Sequence, residues 1–103
     1  MKVYFNNKYL EELAVNEPKG KRKYSSEVVT MYRKKLVILG NVRNSNELRA
    51  FKSLHFERLQ GDKLGLYSIR INEKFRLEFL INKEMDIVVE EIIIIEDLSN
   101  HYK

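Results

Sequence analysis

Two neighbouring segments in the second half of the chain alternate apolar and polar residues with a period of two. In the first segment Tyr67, Ile69 and Ile71 share one face and Arg70 lies on the other. In Arg76–Ile81 an apolar row again opposes an arginine, Arg76. This alternation is typical of half-buried antiparallel strands. Because both apolar rows have to face one core, the pattern constrains the chain to a hairpin whose second face is polar.

The loop between these strands decides how their polar residues pair. A two-residue turn would mix the faces, whereas a three-residue loop, Glu73–Phe75, keeps them apart and pairs Arg70 with Glu78. Arg70 and Arg76 then project from one side of the sheet and form a candidate anion site. The alternatives are a cross-strand ion pair with Glu78 for Arg70 and an ordinary exposed position for Arg76.

Composition bounds the class of protein. With 103 residues, 44% of them hydrophobic and 33% charged, the chain has the size and character of one globular domain, residues 1–103. It has no cysteine, which excludes disulfides and thiolate chemistry. The first residues do not predict a signal peptide and no segment has membrane-spanning length, so we expect a cytoplasmic protein.

The net charge of +4 is unevenly distributed along the chain. Basic residues dominate Lys19–Lys35, and acidic residues dominate Lys83–Asp97. This segregation favours a surface that faces RNA or a protein partner, and a solvated surface is the alternative for either block. Lys21, Arg22 and Lys23 are the candidate phosphate contacts of the basic block.

The remaining patterns predict one α+β domain in which helices pack on an antiparallel sheet. The predicted helices are Asn7–Val15, a second helix from Ser25 to Asn41, and a short one at Asn44–Phe51. The predicted strands are Lys2–Phe5, His55–Gln60, Leu66–Asn72, Arg76–Ile81 and Ile87–Leu98. In the last strand Ile92–Ile95 does not alternate, so both its faces should be covered, either at the centre of the sheet, which we favour, or by a partner protein.

The hairpin region also carries a motif. Its elements, in order, are Leu59–Asp62, Gly65, Tyr67–Asn72, Phe75–Leu77 and Phe79. At this spacing the chain resembles the HigB-like branch of the RelE/ParE toxin superfamily, the plasmid-maintenance "killer" proteins of toxin–antitoxin modules. The resemblance implies a RelE-like fold, in which N-terminal helices pack on a twisted antiparallel sheet of about four to five strands.

The resemblance further implies an activity and partners. HigB-like toxins are ribosome-dependent mRNA endonucleases, or mRNA interferases, so we expect this chain to bind the ribosome and mRNA, and a helix-turn-helix antitoxin of the HigA type. Cleavage by the RNA's own 2′-hydroxyl needs a base, an acid and cations at the phosphorane. The sequence holds two histidines and no metal-ligand motif, and we expect neither a metal nor another cofactor.

The candidate catalytic groups are two arginines and two residues of the C-terminal tail. Arg70 and Arg76 suit a phosphate because guanidinium forks match its oxygens and stay charged. The resemblance places His101 and Tyr102 in the active site, although this chain reads Asn-His-Tyr where many relatives read Asp-Tyr-His. His101 is the better candidate for the general base, and a solvated terminus is the alternative for the tail.

The candidate RNA-binding residues surround the same motif. Some relatives carry a histidine and a lysine just before Gly-Asp, where this chain has Glu57 and Gln60. His55, Arg58 and Lys63 are therefore expected to supply contacts to RNA. Two alternatives stay open. One is a ParE-like toxin of the same fold that binds DNA gyrase without nuclease activity. The other, which this departure keeps open, is an inactive remnant that binds only its antitoxin.

Overall fold

The structure, a computed structural model, describes residues 1–17, 20–85 and 89–100. Strand β1 (Lys2–Phe5) is followed by the helices α1 (Lys8–Leu13), α2 (Ser26–Asn41) and α3 (Ser45–Ala50). The remaining strands are β2 (Glu57–Arg58), β3 (Tyr67–Arg70), β4 (Arg76–Met85) and β5 (Val89–Ser99), with 3₁₀ turns at Lys52–Leu54 and Gly61–Lys63. Within the described ranges, no helix is long and apolar enough to cross a membrane.

Each helix begins at a polar residue whose side chain accepts a hydrogen bond from the first turn. The Asn7 side-chain oxygen accepts from the Leu10 amide at 3.0 Å, and the Ser25 hydroxyl accepts from the Val28 amide at 3.2 Å. The Asn44 side chain accepts from the Glu47 amide at 3.2 Å. These bonds satisfy amide groups that lack a partner inside the helix, so the capping residues set where the helices start.

The end of α1 is closed by a side chain from α2. Arg33 donates from Nε to the Leu13 carbonyl at 3.0 Å and from Nη2 to the Asn16 carbonyl at 2.9 Å. Carbonyl groups at a helix C-terminus lack intrahelical donors, and a cation there also interacts favourably with the helix dipole. One arginine of the basic block thus has a structural role.

The sheet has five strands in the order β1-β5-β4-β3-β2. The pairs β2–β3, β3–β4 and β4–β5 are antiparallel, as predicted, but β1 runs parallel to β5. The prediction of an entirely antiparallel sheet was therefore wrong at this edge. Val3 lies beside Ile93 in that pair. The alternation within a short strand sets its buried face and not its direction relative to a partner distant in sequence.

One face of the sheet forms the hydrophobic core with the helices. Ile69, Leu77, Phe79, Ile93 and Ile95 are fully buried there. They pack with residues of α1 and α2, among them Leu10, Leu13, Val28, Tyr32 and Leu39. We call this the core face of the sheet.

The other face, which we call the site face, carries the alternate residues of the same strands. Central β5 lies between β1 and β4, which confirms the central position predicted for Ile92–Ile95. Its two faces are nevertheless unequal, because Ile93 and Ile95 are buried while Ile92 and Ile94 are half-buried. The expectation that both faces of Ile92–Ile95 would be covered is therefore met on the core face and only in part on the site face.

The strand bounds differ from the predicted ones in two places. The predicted strand His55–Gln60 shrinks to Glu57–Arg58, because His55 adopts a left-handed backbone conformation with φ of 46° after the 3₁₀ turn. Strand β4 continues to Met85, beyond the predicted end at Ile81. Ile87, the predicted first residue of the last strand, lies outside the described residues.

Candidate functional site

The β3–β4 hairpin positions the two arginines. Arg70 lies directly opposite Arg76, and Ser68 lies opposite Glu78. The predicted register, in which Arg70 faces Glu78, was wrong by two residues. A shift of two preserves the faces of the sheet, so the prediction that both arginines project from one face is confirmed, and the true register makes them direct neighbours.

The loop explains the shift. It spans residues 71–75, two residues longer than predicted. The Asn72 side-chain oxygen accepts hydrogen bonds from the amides of Lys74 at 2.9 Å and Phe75 at 2.8 Å, and the Ile71 amide donates to the Phe75 carbonyl at 2.9 Å. This local turn is built by an asparagine side chain that replaces a backbone acceptor.

Arg76 is firmly held on the site face. Its Nε donates to the Ser68 hydroxyl at 2.8 Å, its Nη2 donates to the His55 carbonyl, and Nη2 lies 3.5 Å from a Glu57 carboxylate oxygen. The side chain is only 12% exposed, whereas that of Glu57 is 53% exposed. The guanidinium is therefore oriented before any ligand arrives, which is the arrangement that electrostatic catalysis requires.

His55 connects the two arginines. Its backbone carbonyl accepts from Arg76, and its Nε2 lies 3.3 Å from Nη1 of Arg70, whose Nε donates to the Asn72 carbonyl at 3.3 Å. Because arginine can only donate, the contact with Nε2 is a hydrogen bond when that nitrogen is unprotonated. The structure thus brings His55, predicted from sequence as an RNA contact, together with both predicted catalytic arginines.

A buried ion pair extends the site along the sheet. Lys63 Nζ lies 2.6 Å from a carboxylate oxygen of Glu78, whose side chain is 2% exposed while that of Lys63 is 36% exposed. Glu78 is on the site face, opposite Ser68, which is fully buried. Sequence reasoning considered Glu78 only as a partner of Arg70 and missed its role as the anchor of Lys63. A charged residue between two buried strand positions, Leu77 and Phe79, was the available signal.

Strand β5 ends beside the arginine pair. Ser99, which is 4% exposed, lies opposite Arg76 in the β4–β5 register. Asn100 is the last residue that the structure describes. The predicted catalytic residues His101 and Tyr102 lie outside the described residues, so their role stays a prediction.

Other predicted RNA contacts do not join this cluster. Arg58 lies opposite Tyr67 in the register of β2 and β3, and its guanidinium lies 5.8 Å from the centre of the Tyr67 ring. Tyr67 is paired in turn with Phe79, a residue of the core face. Arg58 therefore packs on an aromatic ring at the sheet edge and not on the site face.

The basic loop before α2 also has its contacts elsewhere. Arg22 Nη2 lies 3.9 Å from a carboxylate oxygen of Glu17, and Lys23 Nζ lies 4.6 Å from the centre of the Tyr9 ring in α1. Both contacts are with the helical side of the domain. Lys21 is exposed in the same loop. These cations are accessible to a phosphate backbone but are not part of the arginine cluster.

A cavity opens next to Arg70. Its volume is about 380 Å³, and it lies between α2, the 3₁₀ turn before His55 and the hairpin loop. Its lining residues are Glu27, Met31, Lys35, Ser53, His55, Arg70, Ile71, Asn72 and Glu73. The depression is open to solvent, and its lining combines apolar and charged side chains.

Comparison with known proteins identifies the family. The family model described as "RelE-like toxin of type II toxin-antitoxin system HigB" matches residues 3–93. The chain is 33% identical over 79 residues to Toxin HigB-1 of Vibrio cholerae, covering 77% of this chain and 82% of that toxin. A solved structure, the YoeB/ParE toxin from Agrobacterium tumefaciens, has a similar fold with a TM-score of 0.56 at 15% identity, covering 99% of this chain and 100% of the other.

The fold is α+β, with helices packed on a five-stranded sheet, and it is similar to that of the YoeB/ParE toxin. The chain belongs to the HigB-like toxins of type II toxin–antitoxin systems. The family predicted from the hairpin motif is thereby confirmed. Membership of a type II system implies that the protein has an antitoxin as its partner.

Proposed function

We propose that this toxin is a ribosome-dependent mRNA endonuclease that cleaves by attack of the RNA 2′-hydroxyl. The observation that carries the proposal is the direct opposition of Arg70 and Arg76 on the site face, with His55 in contact with both. Two guanidinium groups at neighbouring strand positions can bind the non-bridging oxygens of one phosphate.

The two arginines have different roles in the proposed reaction. Arg76 is held by Ser68 and by the His55 carbonyl, so its charge acts from a fixed position as negative charge builds on the phosphorane. Arg70 borders the cavity and is positioned to orient the RNA strand that enters the site. Lys63 adds a third cation, anchored by Glu78 on the same face.

Proton transfer is assigned to the tail. We propose His101 as the general base that takes the 2′-hydroxyl proton as the 2′ oxygen bonds to phosphorus and the bond from phosphorus to the 5′ oxygen breaks. The leaving 5′ oxygen takes its proton from water, and Tyr102 is a stacking platform for a base. In support, β5 ends at Ser99, directly opposite Arg76. The family resemblance supplies the second line of support, because HigB-like toxins have a C-terminal histidine and a neighbouring tyrosine in the active site, although their order is inverted in this chain.

The partners follow from the same reading. We propose a helix-turn-helix antitoxin of the HigA type, and mRNA on translating ribosomes as the substrate in the cytoplasm. The cations of the loop Lys21–Lys23 would contribute attraction to ribosomal RNA that weakens with salt.

The test is induced expression of the toxin without antitoxin, followed by mapping of mRNA ends on ribosomes. The wild type should arrest growth and cut within translated regions. Arg76→Ala should reduce cleavage by a factor on the order of 10² to 10³, because it removes a preorganised charge from the transition state. Arg76→Lys, which keeps the charge and loses the fork, should also lose most activity.

Arg49→Ala is the matched control, because it removes an arginine of α3 whose guanidinium lies 5.1 Å from the centre of the Phe56 ring. It should keep the wild-type cleavage rate. Arrest with intact mRNA and inhibited gyrase supercoiling would replace the nuclease by a ParE-like activity. Absence of arrest, with antitoxin binding retained, would identify an inactive remnant.

A further inference from the structure

A tyrosine on the core side of the sheet is bonded to the strand end behind the site. The Tyr24 hydroxyl donates to the Leu98 carbonyl at 2.9 Å. The Tyr24 ring also meets Phe75 edge-to-face, with ring centres 5.7 Å apart, and tilts against Tyr9 of α1 at 6.2 Å. Tyr24 lies in the loop before α2 and was not among the residues that sequence reasoning selected.

These contacts involve neighbouring positions at the adjacent ends of two paired strands, β4 and β5. Leu98 is opposite Leu77, and the next residue, Ser99, is opposite Arg76. Phe75 directly precedes Arg76, and its carbonyl accepts the hydrogen bond that closes the hairpin loop. The Tyr24 side chain therefore contacts both Leu98, near the end of β5, and Phe75, the residue before Arg76.

We propose that Tyr24 is a positioning residue for RNA cleavage. It keeps the start of β4, which carries Arg76, and the end of β5 at the relative positions that cleavage requires. It touches neither substrate nor reacting atoms and acts through Phe75 and Leu98. The inference rests on the proposed nuclease function. Small displacements of catalytic groups are costly, since misplacement by about 1 Å can lower a rate by a factor near 10².

The hydroxyl keeps its proton over the working pH range. Burial, and to a smaller extent the nearby Asp97 carboxylate and Tyr9, raise the pKa of Tyr24 to about 12. Below that pH the phenol remains a hydrogen-bond donor to Leu98. The contribution of Tyr24 to cleavage should therefore be independent of pH between about pH 6 and 9.

Tyr24→Phe tests the proposal, because it removes the hydroxyl and keeps the ring. The matched control is Tyr32→Phe, which removes another tyrosine–carbonyl bond, from the Tyr32 hydroxyl to the Leu10 carbonyl at 2.7 Å within the helical layer. Tyr24→Phe should lower kcat on programmed ribosomes about tenfold and leave KM within about twofold of the wild-type value. The loss of kcat should be the same at each pH. Tyr32→Phe should lower the melting temperature at least as much and leave kcat unchanged.

Unchanged kcat in Tyr24→Phe would overturn the proposal. So would equal kcat losses in both variants, which would show that global stability sets the rate. Backbone amide exchange adds a readout without catalysis: residues 98–100 should exchange faster in Tyr24→Phe and not in Tyr32→Phe. If the wild type cleaves no RNA, the nuclease proposal fails by itself. Amide exchange at residues 98–100 then tests whether Tyr24 holds the end of β5. Unchanged exchange rates in Tyr24→Phe would reject that role.

Discussion

The two faces of the sheet are built from alternate residues of the same strands, yet they have opposite physical characters. On the core face Ile69, Leu77 and Phe79 are fully buried against other apolar groups. On the site face Ser68, Glu78 and Arg76 are also largely buried, but each has a polar or charged partner. The core face contributes stability by removing apolar surface from water.

The polar partners on the site face explain how the arginine pair is kept in position. A buried charge is tolerated only when other groups satisfy it. Arg76 is therefore held by Ser68 and His55, and Glu78 by Lys63. We expect substitutions on the core face to act on stability and substitutions on the site face to act chiefly on cleavage.

The largest effect is expected on the core face. Phe79→Ala removes a fully buried ring that stacks near Phe56, with ring centres 6.2 Å apart. It should cost about 3–5 kcal/mol of unfolding free energy, through lost transfer energy and a cavity. Urea denaturation followed by circular dichroism measures the loss. Because domains have only about 5–15 kcal/mol of stability, a cost below about 1 kcal/mol would contradict the separation of the two faces.

The tail should show the reverse behaviour, a large loss of cleavage with little loss of stability. Deletion of His101–Lys103 should abolish most RNA cleavage on translating ribosomes and spare antitoxin binding, because the strand before it is anchored by β4. The single substitution His101→Ala should lower the rate sharply, and Tyr102→Phe only mildly because its ring is retained. Full activity of the truncated protein would remove both residues from the mechanism.

The Lys63–Glu78 pair tests the difference between the two faces most severely. It lies on the site face, yet Glu78 is buried, so its substitution should affect stability as well as cleavage. Lys63→Met should destabilise the fold by about 1–3 kcal/mol, since it leaves the Glu78 carboxylate without its lysine. The double variant Lys63→Met/Glu78→Leu should regain part of that stability and still cleave poorly. Equal stability of the single and double variants would contradict the expectation that the Glu78 carboxylate destabilises the fold once its lysine is removed.

The smallest effect concerns alkaline stability. The pKa of Tyr24 is raised to about 12, chiefly by burial, and burial also raises the pKa of Tyr32. A raised pKa in the folded state contributes stability that is complete below about pH 10, the ordinary pKa of tyrosine, and is lost as pH rises through the folded value. Unfolding free energy should therefore fall between about pH 10 and 12, less steeply in Tyr24→Phe than in the wild type. Identical slopes would contradict this.

Local patterns determined much of this protein from sequence alone. The alternation in β3 and β4 identified the core face and put Arg70 and Arg76 on one side, because side chains in a strand point to opposite faces in turn. The capping residues Ser25 and Asn44 marked the starts of α2 and α3, because those side chains bond amides only a few residues away. These features depend on neighbours in the chain.

Other features were decided by contacts between distant residues. The direction of β1 depends on packing beside β5 at the far end of the chain, and the hairpin register was set by the Asn72 loop and not by face alternation, which two registers satisfy equally. The partnership of Lys63 with Glu78 and the position of His55 between the arginines likewise follow from how β2, β3 and β4 are assembled. Periodicity specifies which way a side chain points, whereas only the assembled sheet specifies which side chain it meets.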